Sequence, residues 1–183
     1  MANTKKYVIT SLTLGVIAAA SAGLIGLANL ITKKQIEKNE KERINKGIAA
    51  IFGKNASILD DFDIKEYKYT NHAYEIENKD VETDCWAFRT TGSNMYGKIS
   101  MIVGFMQDEA QEYSFAGLYL VLDEQTYAST LEDEYIKPLN NGDVYLDDVS
   151  CGATYGAKLV RDMVYEAKDV ANTLIKERGT NNG

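Results

Sequence analysis

YVITSLTLGVIAAASAGLIGLANLIT, from Tyr7 to Thr32, contains no charged side chain. As an α-helix at about 1.5 Å per residue this run is ~39 Å long. The hydrocarbon core of a bilayer asks for only about 20 residues. The run therefore reads as a membrane-spanning helix. Gly15, Gly23 and Gly26, with several Ala and Ser residues, give it a small-residue face of the kind that lets helices pack closely in lipid. The competing reading is a cleaved signal peptide, with Ala20-Ser21-Ala22 as the small-residue cleavage site. Against it, the apolar run continues through Leu24, Ile25, Leu27, Leu30 and Ile31, and no nearby cysteine could carry a lipid.

Charge divides the rest of the 183 residues. Residues 1–32 carry +2, from Lys5 and Lys6. Residues 33–46 carry +3, from six bases and three acids. The total is −7, which leaves −12 for the remainder. A strongly acidic domain thus follows a basic neck. Acidity on this scale argues against nucleic acid as a partner, because phosphate backbones are bound by basic surfaces that displace counterions. Two cysteines and one histidine leave little for a zinc or iron–sulfur centre. Counting Lys and Arg near the two helix ends would leave the large domain in the cytoplasm.

Further along, Ile36, Ile44, Ile48 and Ile51 continue a helical spacing through residues 33–52, and Gly53 and Asn55 break it. Residues 56–84 are polar, with short strands expected at Glu66–Tyr69 and Tyr74–Glu77. Cys85–Arg89 alternates, placing Trp86 and Phe88 on one face, and Gly92 and Asn94 suggest a turn. Ile99–Met106 and Phe115–Leu122 read as a hairpin about the acidic turn Gln107–Glu112. Asn140-Asn141-Gly142-Asp143 reads as a turn before a short strand, Val144–Leu146. Leu159, Val160, Met163, Val164, Ala167, Val170, Ala171, Leu174 and Ile175 form one apolar helical stripe that should pack on the sheet. The expected fold is α+β: residues 1–6, a transmembrane helix at 7–32, a helical neck at 33–55, an antiparallel-sheet domain with a long C-terminal amphipathic helix at 56–178, and a flexible tail at 179–183.

The segment before that last helix, Asp148-Val149-Ser150-Cys151-Gly152-Ala153-Thr154-Tyr155-Gly156, is built of small residues. Glycine lets a ligand approach the backbone. The first turn of a helix presents unpaired N–H groups and a partial positive charge, which suits an anion, phosphate above all. Thr154 would sit there with its hydroxyl available. Ser and Thr at such junctions also serve simply as caps.

The same segment resembles the flavin-attachment motif of the FMN-binding domain family. That family includes the G subunit of the Rnf electron-transport complex and the C subunit of the Na+-translocating NADH:quinone oxidoreductase. The family pattern, Asp, two variable residues, Ser or Thr, Gly, Ala, Thr, falls on Asp148 to Thr154, with Cys151 standing where Ser or Thr is usual. Asn29-Leu30-Ile31-Thr32-Lys33-Lys34-Gln35-Ile36 is similar to the start of the Rnf G subunit. Tyr96-Gly97-Lys98-Ile99 followed by Ile102-Val103-Gly104-Phe105 resembles the family's Tyr-Gly strand and Val-Gly step. Glu124-Gln125-Thr126 through Leu131 stands in the place of the family's Glu-Thr-Pro-Gly-Leu-Gly loop, without its proline and glycines.

The resemblance implies FMN held covalently by a phosphoester on Thr154. Asp148, Ser150, Cys151, Gly152, Ala153, Tyr155, Tyr96, Gly97, Glu124, Thr126 and Leu131 would surround it. It implies a redox-carrier subunit rather than an enzyme alone, in an Rnf-type ion-translocating ferredoxin:NAD oxidoreductase. A separate flavin transferase would make the bond, since no base adjoins the threonine. Other membrane subunits and membrane lipid would be the partners, with no nucleic acid. It also places the domain outside the cytoplasm on a single-pass anchor, against the lysine count. Two other functions stay open: a stand-alone anchored FMN electron carrier, and an anchored structural module without flavin. Cys85 and Cys151 are read as small buried residues, a disulfide being the alternative. His72 reads as a loop histidine. Glu132-Asp133-Glu134 reads as a solvated helix start, a cation site being the alternative.

Overall fold

The computed structural model of the chain describes residues 2–81, 83–107 and 112–181. They fall into two compact units, Met1–Glu42 and Arg43–Gly183.

The described residues of the first unit are helical, the beginning of a helix α1 that runs Ala2–Phe52. Leu12, Leu14, Val16, Ile17, Leu24, Ile25 and Leu27 are all exposed. An exposed apolar surface of this length has no place in water and every place in lipid. Among the described residues the helix from Ser11 to Phe52 is long and apolar enough to cross a membrane, and its apolar window is not buried in protein. Thr32 returns its hydroxyl to the Ala28 carbonyl at 2.8 Å, the local bond that lets a polar residue close an apolar helix.

The second unit is a five-stranded antiparallel sheet in simple sequence order. Its strands are β1 (Ala56–Asp63), β2 (Thr70–Asn78), β3 (Cys85–Asn94), β4 (Gly97–Gln107) and β5 (Tyr113–Asp123). Helices α2 (Ala128–Leu131), α3 (Lys137–Asn141) and α4 (Thr154–Asn181) follow. The alternation read at Cys85–Arg89 sorts the two faces: Trp86 and Phe88 join one core, Cys85 and Ala87 the other. Met101, Val103 and Phe105 of β4 lie with Trp86 under α4, against Val160, Met163, Val164 and Ala167. Ile102 lies on the opposite face with Ile44, Ile48 and Phe52.

Residues 43–52, part of the expected neck, therefore pack on the sheet. The closeness of that packing depends on Gly104: a Cβ there would stand 2.5 Å from Ile51 Cγ2 and 2.7 Å from the Phe52 ring. Arg43 fixes the same helix by donating from Nη1 to the Val121 carbonyl at 2.9 Å. Gly53, at φ 95°, ends it, a left-handed C-terminal position that glycine fills without strain.

Several sequence expectations need correction. β1 was not expected; it is an edge strand whose acids face solvent. Glu66–Tyr69 is not a strand. The Lys68, Tyr69 and Thr70 amides donate instead to the Glu166 carboxylate of α4, at 3.1, 2.7 and 2.7 Å. β3 continues through Gly92, and its turn falls two residues later, at Asn94–Gly97. Val144–Leu146 is not a strand either: the Leu146 carbonyl accepts from the Tyr135 hydroxyl. The expected turn at Asn140–Asp143 is the end of α3, with Gly142 at φ 78° as its left-handed cap. The acidic turn between β4 and β5 lies mostly outside the described residues. Helix continues through Asn181, into the expected tail.

Between α2 and α3 the backbone widens into a π-helical turn, Glu132–Ile136. Pro138 sits at the start of α3. A proline in a helix clashes with the carbonyl four residues earlier, here that of Glu134, and a widened turn relieves it. Tyr135 and Ile136 enter the core from this turn.

Candidate functional site

α4 begins at Thr154, directly after the small-residue segment. The first bond of the helix, Ala157 N–H to the Ala153 carbonyl at 3.0 Å, leaves the amides of Thr154, Tyr155 and Gly156 ahead of the helical ladder. No acid lies in this first turn. The Thr154 hydroxyl, half-buried, donates to the Cys151 carbonyl at 2.7 Å.

Three other segments converge there. The β3–β4 turn brings Tyr96, held by Asn94: the Asn94 carboxamide accepts from the Tyr96 amide at 2.8 Å and donates to the Tyr155 carbonyl at 3.1 Å. The loop after β5 brings Gln125 and Tyr127. It is tied to the same turn, because the Thr126 amide donates to the Tyr96 carbonyl at 3.0 Å and the Glu124 amide to the Lys98 carbonyl at 2.9 Å. Gln125 Nε2 donates to the Gly97 carbonyl. Helix α2 supplies Leu131, fully buried, against which Gly156 closes.

The result is a cleft of about 260 Å³ lined by Tyr96, Gln125, Tyr127, Leu131, Gly152, Ala153, Thr154, Tyr155 and Gly156. Its rim is aromatic. The Tyr96 ring lies 5.5 Å from that of Tyr155 and 6.1 Å from that of Tyr127, tilted in both cases. Tyr127 and Tyr155 are more than half exposed. Lys158 Nζ stands 5.9 Å from the Tyr155 ring centroid.

Six of the residues expected from sequence line this cleft: Thr154, Gly152, Ala153, Tyr155, Tyr96 and Leu131. The others stand behind it. Gly97, at φ 139°, packs so tightly on the Glu124 carbonyl that no side chain fits. Glu124 acts through its backbone, and Thr126 through both its amide and its hydroxyl, which donate to the Tyr96 carbonyl at 3.0 and 3.3 Å. Asp148 accepts from the Tyr145 amide at 3.0 Å and shapes a turn. Ser150 is exposed, and Cys151 contributes its carbonyl. Sequence reasoning missed Gln125, Tyr127 and Gly156. An aromatic residue at position 127, inside a loop matched to a glycine-rich one, was the available signal.

One acid reaches the segment: Glu134 Oε2 accepts from the Gly152 amide at 2.7 Å. The other two acids of its cluster bind Lys137, Asp133 at 2.7 Å and Glu132 at 3.4 Å. No group of metal-ligating side chains occurs among the described residues. His72 is remote, on β2, bridging Asp61 and Asp63 at 2.9 Å each. Cys85 is buried, Cys151 is half-buried, and both are free thiols.

Comparison with known proteins reaches only the anchor. Residues 1–51 match the family described as the RnfG N-terminal region. The match covers α1 almost to its end and stops before the sheet and the cleft. It is consistent with a homologue of the Rnf G subunit, and with the apolar helix it describes a membrane-anchored protein related to that family through its N-terminal region. No curated protein and no solved structure matches the chain.

Proposed function

We propose that this chain is the flavin-carrying subunit of an Rnf-type membrane complex, with FMN joined to Thr154 through its phosphate. The observation that carries the reading is the cleft at the start of α4. A threonine hydroxyl, a free helix N-terminus and three tyrosine rings from three segments meet there. The match of residues 1–51 supports the complex, and the resemblance of Asp148–Thr154 supports the attachment.

The donor set fits such a group. The amides at the start of α4 would hold the phosphate and offset its charge in a domain of −12. Tyr96, Tyr127 and Tyr155 would flank a planar ring, and Leu131 and Ala153 give an apolar floor that keeps water from it. FMN when bound supplies one- and two-electron chemistry that no side chain here has. Among the described residues the Thr154 hydroxyl bonds to the Cys151 carbonyl and to no activating base, so a separate transferase would modify it. The soluble domain would lie outside the cytoplasm, where a covalent bond prevents loss of the cofactor.

One observation favours a second reading, an anchored module without flavin: the Glu134 carboxylate takes the Gly152 amide and places a negative charge beside the attachment segment. In-gel flavin fluorescence after denaturation decides between them. With a flavin transferase coexpressed, the wild-type band should fluoresce and that of Thr154→Ala should not. A band surviving the substitution overturns the Thr154 assignment, and no band in either protein supports the flavin-less module. Co-purification with other membrane subunits separates a complex subunit from a stand-alone carrier.

A further inference from the structure

A second cleft, about 240 Å³, opens beside the turn end of the β3–β4 hairpin, lined by Lys68, Tyr69, Thr91, Gly92, Ser93 and Lys98. Its lining includes two lysines and three hydroxyl-bearing residues and no acidic residue, in a domain that carries −12. Two lysines beside one concavity focus an attractive field for anions.

The walls are fixed independently of any ligand. Glu166 takes the three amides of Lys68, Tyr69 and Thr70 and pins the loop that carries Lys68. The Thr91 amide donates to the Tyr69 carbonyl at 2.8 Å and joins that loop to β3. Ser93 and Lys98 are direct cross-strand partners. The Thr91 and Ser100 hydroxyls lie 3.1 Å apart. The floor is Gly92, where a Cβ would stand 2.9 Å from Leu159 and 3.0 Å from the Met163 sulfur.

The acids nearest Lys68 are committed elsewhere. Asp162 and Glu166 both act on Lys68. Glu166, however, holds three amides, and Asp162 is bound by Arg161 at 2.8 and 3.0 Å. Among the described residues neither Lys68 nor Lys98 has a carboxylate within ion-pair distance. The Lys68 ammonium rests 4.5 Å from the centroid of the Tyr69 ring, which orients it without neutralising it.

We propose that this cleft binds a phosphate-type anion, the group shared by inorganic phosphate and by anionic lipid headgroups. Two ammonium groups supply the charge, and the hydroxyls of Ser93 and Thr91 supply neutral hydrogen bonds beside it.

The test is lysine reactivity in the full-length chain, read as the rate of acetylation at each lysine by mass spectrometry. In detergent, inorganic phosphate should slow Lys68 and Lys98 several-fold relative to chloride at equal ionic strength, with Lys137 as the unaffected reference. In vesicles without phosphate, protection with phosphatidylglycerol but not with phosphatidylcholine alone identifies the headgroup as the source. Protection by phosphate and not by the vesicles identifies the free anion. Ser93→Ala, which alters no lysine and no buried residue, should weaken the protection. Unchanged rates in both arms, protection falling on Lys158 at the start of α4 instead, or full protection persisting in Ser93→Ala would overturn the proposal.

Discussion

The carboxylate of Glu134 and the amide of Gly152 are joined by a hydrogen bond of 2.7 Å. It links the π-helical turn to the segment before Thr154, and a Cβ on Gly152 would press on the same carboxylate at 3.2 Å. A carboxylate there sets negative charge beside the start of α4. Glu134→Gln keeps the shape and removes the charge. Under the proposed function it should raise the fraction of chain carrying flavin, with little change in melting temperature. The check is in-gel fluorescence per unit protein; a clear fall would mean that the charge positions the segment for modification.

Gly97 is the least replaceable residue of the β3–β4 turn. Its φ is 139°, and a Cβ would overlap the Glu124 carbonyl oxygen. Strain and overlap together should make Gly97→Ala cost about 2–4 kcal/mol. The single tryptophan, Trp86, is buried in the sheet core and reports unfolding directly. The expected result is a lower denaturant midpoint in its fluorescence, with the slope unchanged.

Glu166 replaces a missing strand neighbour for Lys68, Tyr69 and Thr70. Glu166→Ala should cost about 1–3 kcal/mol, because the part-buried Tyr69 and Thr70 amides lose their acceptor. Hydrogen exchange should quicken at residues 68–70 and stay slow in β4. Equal exchange in both proteins would show that water serves as well as the carboxylate.

Alkaline pH should unfold the domain through two tyrosines. Burial, with the charge of Asp84 adding to it, pushes the Tyr113 hydroxyl up to about 12. Burial raises Tyr135 further still. A folded-state value above the unfolded one, about 10, means that the unfolded chain loses its proton first. The stabilisation is complete below pH 10 and is lost as pH rises from about 10 through 12. Ultraviolet titration of the twelve tyrosines should show a late fraction that ionises together with the change in Trp86 fluorescence.

The two expected strands that failed share one cause. Tyr69 and Leu146 have strand-like side chains, but their backbone groups are met by side chains and not by a strand: the Glu166 carboxylate 97 residues on, and the Tyr135 hydroxyl 11 residues back. No local pattern announces a carboxylate nearly a hundred residues away. β1 went unread for the opposite reason: an edge strand needs only one apolar face, and Ala56–Asp63 spends its other positions on acids.

The membrane helix and α4 were legible because each depends on side-chain periodicity or its absence, which is local. Tyr7–Thr32 excludes charge, and the stripe from Leu159 to Ile175 repeats with the helical turn. Thr154 was legible too, as a hydroxyl at a helix start. Its surroundings were not. Tyr96, Gln125, Tyr127 and Leu131 reach it only because the β3–β4 turn, the loop after β5 and α2 are drawn together by backbone bonds and by the glycine at position 97. Sequence determined the two long helices, the outline of β2 to β5 and where a hydroxyl stands. Tertiary structure alone decided what faces it, because a cleft is made by distances between segments that local spacing does not encode.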